Sequence, residues 1–215
     1  MNPFYVPPEQ LVKDRAEFAR KGVARGRAIV ALQFEGGILL LAENHSSTLF
    51  KISEIYDRIA FAGVGRFNEF ESLRVAGVRH ADLKGYMYAR DDVQAKALAN
   101  AFAQTLGNIF THEVKPYEVE VLIVELGDSP TEDRLYRVLY DGTLVEEAGT
   151  TAIGGPAEEL SALLNDGHDA DQTLSSALDK AMAAFTAVKG DTPTDWEGAV
   201  LERGDGRRSF RRLDL

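Results

Sequence analysis

The hydrophobic positions of this chain change period from block to block. In AIVALQF (28–34) and ILLLA (38–42) nearly every position is apolar, and the turn residues EGG (35–37) separate the two runs. Runs of that length without a polar face predict a β-hairpin in a sheet covered on both sides, because a half-exposed strand would alternate. RIAFAGV (58–64), VEVLIVEL (119–126), RLYRVLY (134–140) with its Asp141-Gly142 turn, TLVEEA (143–148), and WEGAVLER with RRSFRRL near the end continue the series. That predicts roughly eight or more strands.

Helical spacing fills the intervals. Pro8 can open a helix in which Leu11, Arg15, Phe18, Ala19 and Gly22 share one thin face, with Glu9 to Lys13 and Glu17 to Lys21 as i,i+4 pairs and Gly22 or Gly26 as the stop. Phe67, Phe70 and Leu73, then Leu98, Phe102, Leu106, Ile109 and Phe110, predict a first helical pair. A second pair begins at Pro156 (Leu160, Leu163, Leu164) and at Asp171, read as the N-cap before Leu174, Ala177, Leu178, Ala181, Met182, Phe185 and Val188. The order is helix, strands, two helices, strands, two helices, strands, without the strict βαβ alternation of a doubly wound sheet. Two largely antiparallel sheets stacked face to face, with helices on both outer faces, would bury every apolar strand. The expected fold is α+β, a four-layer αββα sandwich, with one domain over residues 8–215 behind an N-terminal arm, residues 1–7.

Composition narrows the function. A net charge of −10 over 215 residues opposes nonspecific nucleic-acid binding, which needs a concentrated positive field. Locally the balance reverses: between Lys13 and Arg27 six basic residues face Asp14 and Glu17, an excess of four positive charges. A solvated helix face explains that cluster, and a contact surface for an acidic neighbour is the other reading. No apolar run reaches membrane-spanning length, and MNPFYVPPEQ lacks the basic-then-apolar order of a signal peptide, so a cytoplasmic protein is expected. With no cysteine, disulfides, thiolate metal sites and cysteine nucleophiles are excluded.

KISEIYDRIAFAGVGRFNEF (51–70) carries the residues closest to a chemical motif. Its Gly63-Val64-Gly65 follows a strand and precedes a helix, the setting of a dinucleotide loop, but the third glycine position is Asn68. A close strand-to-helix turn is the expectation, and no cofactor is implied. His45, His80, His112 and His168 lack metal-ligand spacing, and GxSxG is absent. Glu146-Glu147 and Glu158-Glu159 read as solvated charges. A self-processed N-terminal Thr or Ser would have to head the first core strand, where the chain reads Gly26-Arg27-Ala28-Ile29; no hydroxyl is near.

The runs PEQLVKDRAEFARKGVARGRAIVALQFEGGILLLAEN, LFKISEIYDRIAFAGVGRFNEFESLR, LANAFAQTLGNIFTHEVKPYEVEVLIVEL and LYRVLYDG resemble the proteasome α subunits of actinobacteria over nearly the whole chain. The resemblance implies the N-terminal nucleophile hydrolase fold without its catalysis. It implies a heptameric ring of α copies stacked on catalytic β subunits, and docking of a ring-shaped ATPase or ATP-independent activator through C-terminal tails. Catalytic β subunits carry a threonine, an aspartate and a lysine; here those positions resemble Arg27-Ala28, Glu43-Asn44 and Lys51. In α rings the lysine matching Lys51 meets the activator's terminal carboxylate, and the alternative is a lysine satisfied by a carboxylate such as Glu54. Met1, Asn2, Pro3, Phe4, Tyr5, Val6 and Pro7 correspond to the arm that closes the entry pore. Lys115-Pro116-Tyr117-Glu118 departs from the RPYG of archaeal and eukaryotic α chains, which bears on the inner port. Outside this family the readings are a stand-alone hydrolase of the same fold and an acidic scaffold.

Overall fold

The computed structural model describes residues 7–206 and 208–215. Among these residues five α-helices and ten strands follow one another in the expected order, with short 3-10 turns at Arg90–Asp92 and Pro130–Glu132. Helix α1 (Pro8–Ala24) leads into β1 (Ile29–Phe34), β2 (Gly37–Glu43), β3 (Ile52–Tyr56) and β4 (Ile59–Gly65). The pair α2 (Phe67–Met87) and α3 (Ala95–His112) precedes β5 (Val119–Glu125), β6 (Arg134–Val138), β7 (Leu144–Glu147) and β8 (Thr150–Ile153). Helices α4 (Ala157–Asn165) and α5 (Leu174–Lys189) precede β9 (Trp196–Glu202) and β10 (Phe210–Leu213).

The strands form two five-stranded sheets, ordered β10-β9-β2-β1-β8 and β3-β4-β5-β6-β7, and every pair is antiparallel. Side-chain alternation along each strand explains why the runs are apolar throughout. Ile29 and Ala31 of β1 point into the layer between the sheets with Ile38, Leu40, Ala60, Ala62, Leu122 and Val124, whereas Ala28, Val30 and Leu32 point outward to Leu160, Leu164, Ala181 and Phe185 of α4 and α5. On the other sheet Phe61, Val121 and Ile123 meet Phe70, Leu98, Phe102 and Leu106 of α2 and α3. Three apolar layers separate four layers of secondary structure, the αββα sandwich.

Local signals set the boundaries. The α5 cap is Thr173, whose Oγ1 accepts from Ser176 N at 3.3 Å, rather than Asp171; the Asp171 N–H is already turned toward Asp169 Oδ1 at 2.9 Å. Gly190, at φ +83°, closes that helix. The GVG turn is consumed by packing. A side chain on Gly63 would meet the Phe70 ring at 2.7 Å, and one on Gly65, at φ +109°, would fall 1.9 Å from the Glu118 carbonyl. No described helix is long and apolar enough to cross a membrane.

Candidate functional site

The head of β1, the end of β2 and the start of β3 meet at one end of the sandwich. Lys51, one residue before β3 and partly exposed, points its ammonium across the opening between these strand ends: Nζ donates to the Arg27 carbonyl at 3.1 Å and the Glu43 carbonyl at 3.0 Å. Glu54 is not its partner, since that carboxylate pairs with Arg208 at 2.8 Å. Burial pushes the Lys51 ammonium down to about 8; Glu197 and Glu43 oppose the fall, and Arg27 and Lys189 add to it. An ammonium has three protons, and two are used by these carbonyls.

Beneath the lysine lies Glu197, at the start of β9. Its buried carboxylate accepts from Lys51 N at 2.9 Å and Ile52 N at 2.9 Å, from Asn44 Nδ2 at 2.7 Å, and from Arg212 Nη1 at 3.3 Å. One side chain from the first sheet therefore fixes the entry of β3 in the second. Asn44 also braces the preceding loop, donating to the Leu49 carbonyl at 2.9 Å, while Ser46 Oγ accepts from the Leu49 N–H at 3.0 Å. The Arg212 guanidinium covers the half-exposed Phe50 ring, 3.9 Å from its centre.

Glu43 forms the second anionic point. Its carboxylate is ion-paired to Arg27 and to Lys189 at the end of α5, and lies 3.4 Å from His45 Nε2. His45 in turn pairs through Nδ1 with Asp195. No hydroxyl is hydrogen-bonded to Lys51 Nζ among the described residues, and the Glu43 carboxylate is ion-paired to Arg27 and Lys189 while only its backbone carbonyl accepts from the lysine. Nor do three His, Asp or Glu side chains among these residues converge as a metal cage.

Helix α1 lies beside this opening against β4 and β5. Of its expected apolar face only Ala19 is buried, joined by Val23; Leu11 and Phe18 are about half exposed. Polar anchors do much of the holding. Arg15 donates to the Ile109 and Glu113 carbonyls at the end of α3, and Arg20 donates to Tyr140 Oη at 3.2 Å. The segment 115–118 is a clamp at the same place: Lys115 reaches Glu69 at 2.7 Å and Glu118 at 3.0 Å, the Glu118 N–H donates to Glu69, and Gly22 leaves room for the Glu118 side chain. Of the expected gating residues Met1 to Val6 lie outside the described residues, and Pro7 is exposed, its carbonyl accepting from Leu11 N at 3.1 Å.

Sequence reasoning singled out Lys51 and its neighbours Arg27, Glu43 and Asn44, and the fold brings all four together. It passed over Glu197 and Arg212, which fall in the expected last strands, and Lys189, which opens the loop-like stretch KGDTPTD (189–195); the signal that could have found Glu197 is a carboxylate in the second position of a mostly buried strand.

The family description "Proteasome subunit" matches residues 23–201. A proteasome subunit alpha from Xylanimonas cellulosilytica is 56% identical over 223 residues, spanning 98% of this chain and 91% of its own length. One from Acidothermus cellulolyticus is 55% identical over 218 residues, covering 98% and 93% respectively. One from Thermobifida fusca is 52% identical over 215 residues, covering 98% and 86%.

Proposed function

The chain belongs to the proteasome subunit family, in its actinobacterial α branch, and from that premise we propose that it is the noncatalytic subunit of a proteasome core particle. Seven copies form an outer ring on the β subunits, gate the entry of substrate and receive a ring-shaped ATPase or ATP-independent activator. The β subunits hydrolyse the peptide bonds, and the particle works in the cytoplasm. Each chain contributes one domain, residues 8–215, and an arm, residues 1–7.

The observation that carries this reading is an ammonium without a nucleophile. Lys51 Nζ is fixed between two backbone carbonyls at the open end of the sandwich, and the first core strand is headed by Arg27-Ala28, with no hydroxyl to activate. A positioned lysine of that kind serves binding. Its third proton suits an incoming carboxylate, a charge-assisted contact of about 1.5–3 kcal/mol when shielded. Repetition around a ring multiplies modest contacts through avidity.

The test is reconstitution with β subunits. Lys51→Glu should abolish activator docking while the particle still assembles by native mass spectrometry; normal docking by that variant would sink the assignment. Deleting residues 2–7 should raise peptide hydrolysis by the assembled particle, and an unchanged rate would remove the arm from the gate.

A further inference from the structure

We infer that Arg27 is a second cationic contact for the peptide C-terminal carboxylate that meets Lys51, and that Glu43 holds its guanidinium as an internal counter-ion until that carboxylate arrives. This rests on the reading of Lys51 given above and adds a residue and an exchange of partners to it.

Charge at the opening comes first. Three cations, Arg27, Lys51 and Lys189, face two carboxylates, Glu43 between Arg27 and Lys189 and Asp195 beside His45, while Glu197, which also acts on Lys51, is offset by Arg212 and by two backbone N–H groups. The local surplus is positive on a chain whose net charge is −10. An anion is what such a rim lacks.

Geometry selects Arg27 within that rim. Its side chain is 43% exposed while that of Glu43 is 5% exposed, so the pair presents the guanidinium and hides the carboxylate. Among the described residues the guanidinium donates only to Glu43, through Nη1, out of five N–H donors in a fork that matches a carboxylate edge. Lys51 Nζ donates to the backbone carbonyl of the same Arg27 at 3.1 Å, which puts both cations on one wall of the opening.

The exchange also leaves no buried charge alone. Glu43 keeps Lys189 when Arg27 turns toward a newcomer, so the penalty that follows from stripping a buried carboxylate of its partner is avoided. The incoming carboxylate would then meet an ammonium and a guanidinium presented from the same wall. Arg27 thus favours a terminal carboxylate over an amide, for which an ammonium alone discriminates less.

Assembled particles carrying wild-type α, Arg27→Gln, Arg27→Lys, Glu43→Gln and Lys51→Glu would be titrated with the activator, and with synthetic peptides of its tail ending in a carboxylate or an amide. A pH of about 6.5 lies below the native Lys51 pKa of about 8, so the ammonium is present in the wild-type chain, and Arg27→Gln removes a cation that depresses it. Arg27→Gln is expected to weaken activator and carboxylate-peptide binding by about tenfold or more, with Arg27→Lys intermediate and amide-peptide binding unchanged. Glu43→Gln is expected to tighten both several-fold, because it releases the guanidinium; a merely structural role for the pair would make both variants bind worse. Wild-type affinity in Arg27→Gln, with Lys51→Glu dead, overturns the role of Arg27 and leaves Lys51 standing. Normal docking in Lys51→Glu overturns both. If Arg27→Gln fails to assemble, the sign of the Glu43→Gln effect decides, and unchanged or weaker binding there overturns the exchange.

Discussion

Replacing Glu197 tests how the site is held. Glu197→Ala removes the acceptor for the Lys51 and Ile52 backbone N–H groups, for Asn44 Nδ2 and for Arg212. Ile52 is fully buried, so its N–H cannot turn to water without opening the sheet edge. Each buried donor left unmet costs about 1–3 kcal/mol, and the two backbone donors together give about 2–6 kcal/mol before the side chains are counted. Against a typical stability of about 5–15 kcal/mol that is a large fraction. Glu197→Gln should cost less, since one oxygen still serves Ile52, but its amide group would face the Nδ2 donor of Asn44. Asn44 cannot rotate to accommodate it without losing Leu49 and Ser46. Urea unfolding followed by the fluorescence of Trp196, the chain's single tryptophan and the residue before Glu197, measures both. Because Glu197 opposes the fall of the Lys51 pKa, a titration of the labelled Lys51 side chain should move below about 8 in Glu197→Gln. A loss of under about 1 kcal/mol in Glu197→Ala would refute the reasoning, showing that the β3 entry is satisfied some other way.

Lys51 also sets a pH signature. Its folded pKa, about 8, lies below the ordinary 10.5, so between those values the unfolded chain binds the extra proton and stability should rise with pH; Lys51→Met should lack that rise, as paired urea titrations would show. Over the same interval carboxylate docking should weaken as the ammonium is lost, and an activator affinity flat across pH 8–10.5 would argue against Lys51 as its partner. Gly65→Ala forces a side chain into φ +109° and against the Glu118 carbonyl, and should cost more than about 3 kcal/mol; near-normal unfolding would contradict the packing role of the GVG turn. Thr173→Ala should lose about 1 kcal/mol by removing the α5 cap, and Asp171→Ala should lose less in the same denaturation assay.

Long apolar strands and helical faces made most of the fold legible, because their periodicity is a local record of two-sided burial. The hairpin over residues 28–42 and the faces of α2, α3 and α5 are cases in point. Strand β3 was hidden: ISEIY carries Ser53 and Glu54 in mid-strand, which an edge strand tolerates because one side of it needs no partner strand. Strand β8 was hidden by length, being four residues between turns with Thr150 and Thr151 as half of it. Lys51 was found through family resemblance. Its support was not legible, because Glu197 is 146 residues away along the chain and only the stacking of the two sheets brings it under the lysine.

The way α1 is fastened has a thermal consequence. Leu11, Val12 and Phe18 add little to any of the three apolar layers, and arginines reaching the α3 end and Tyr140 do much of the tethering. Those bonds can be released without parting the sheets, so the helix has an opening free energy of its own, below that of the sandwich. In amide exchange α1 would lose protection well before β1, β2 and β4. The sandwich would then hold its exchange protection while its first helix opens and closes on a faster clock of its own.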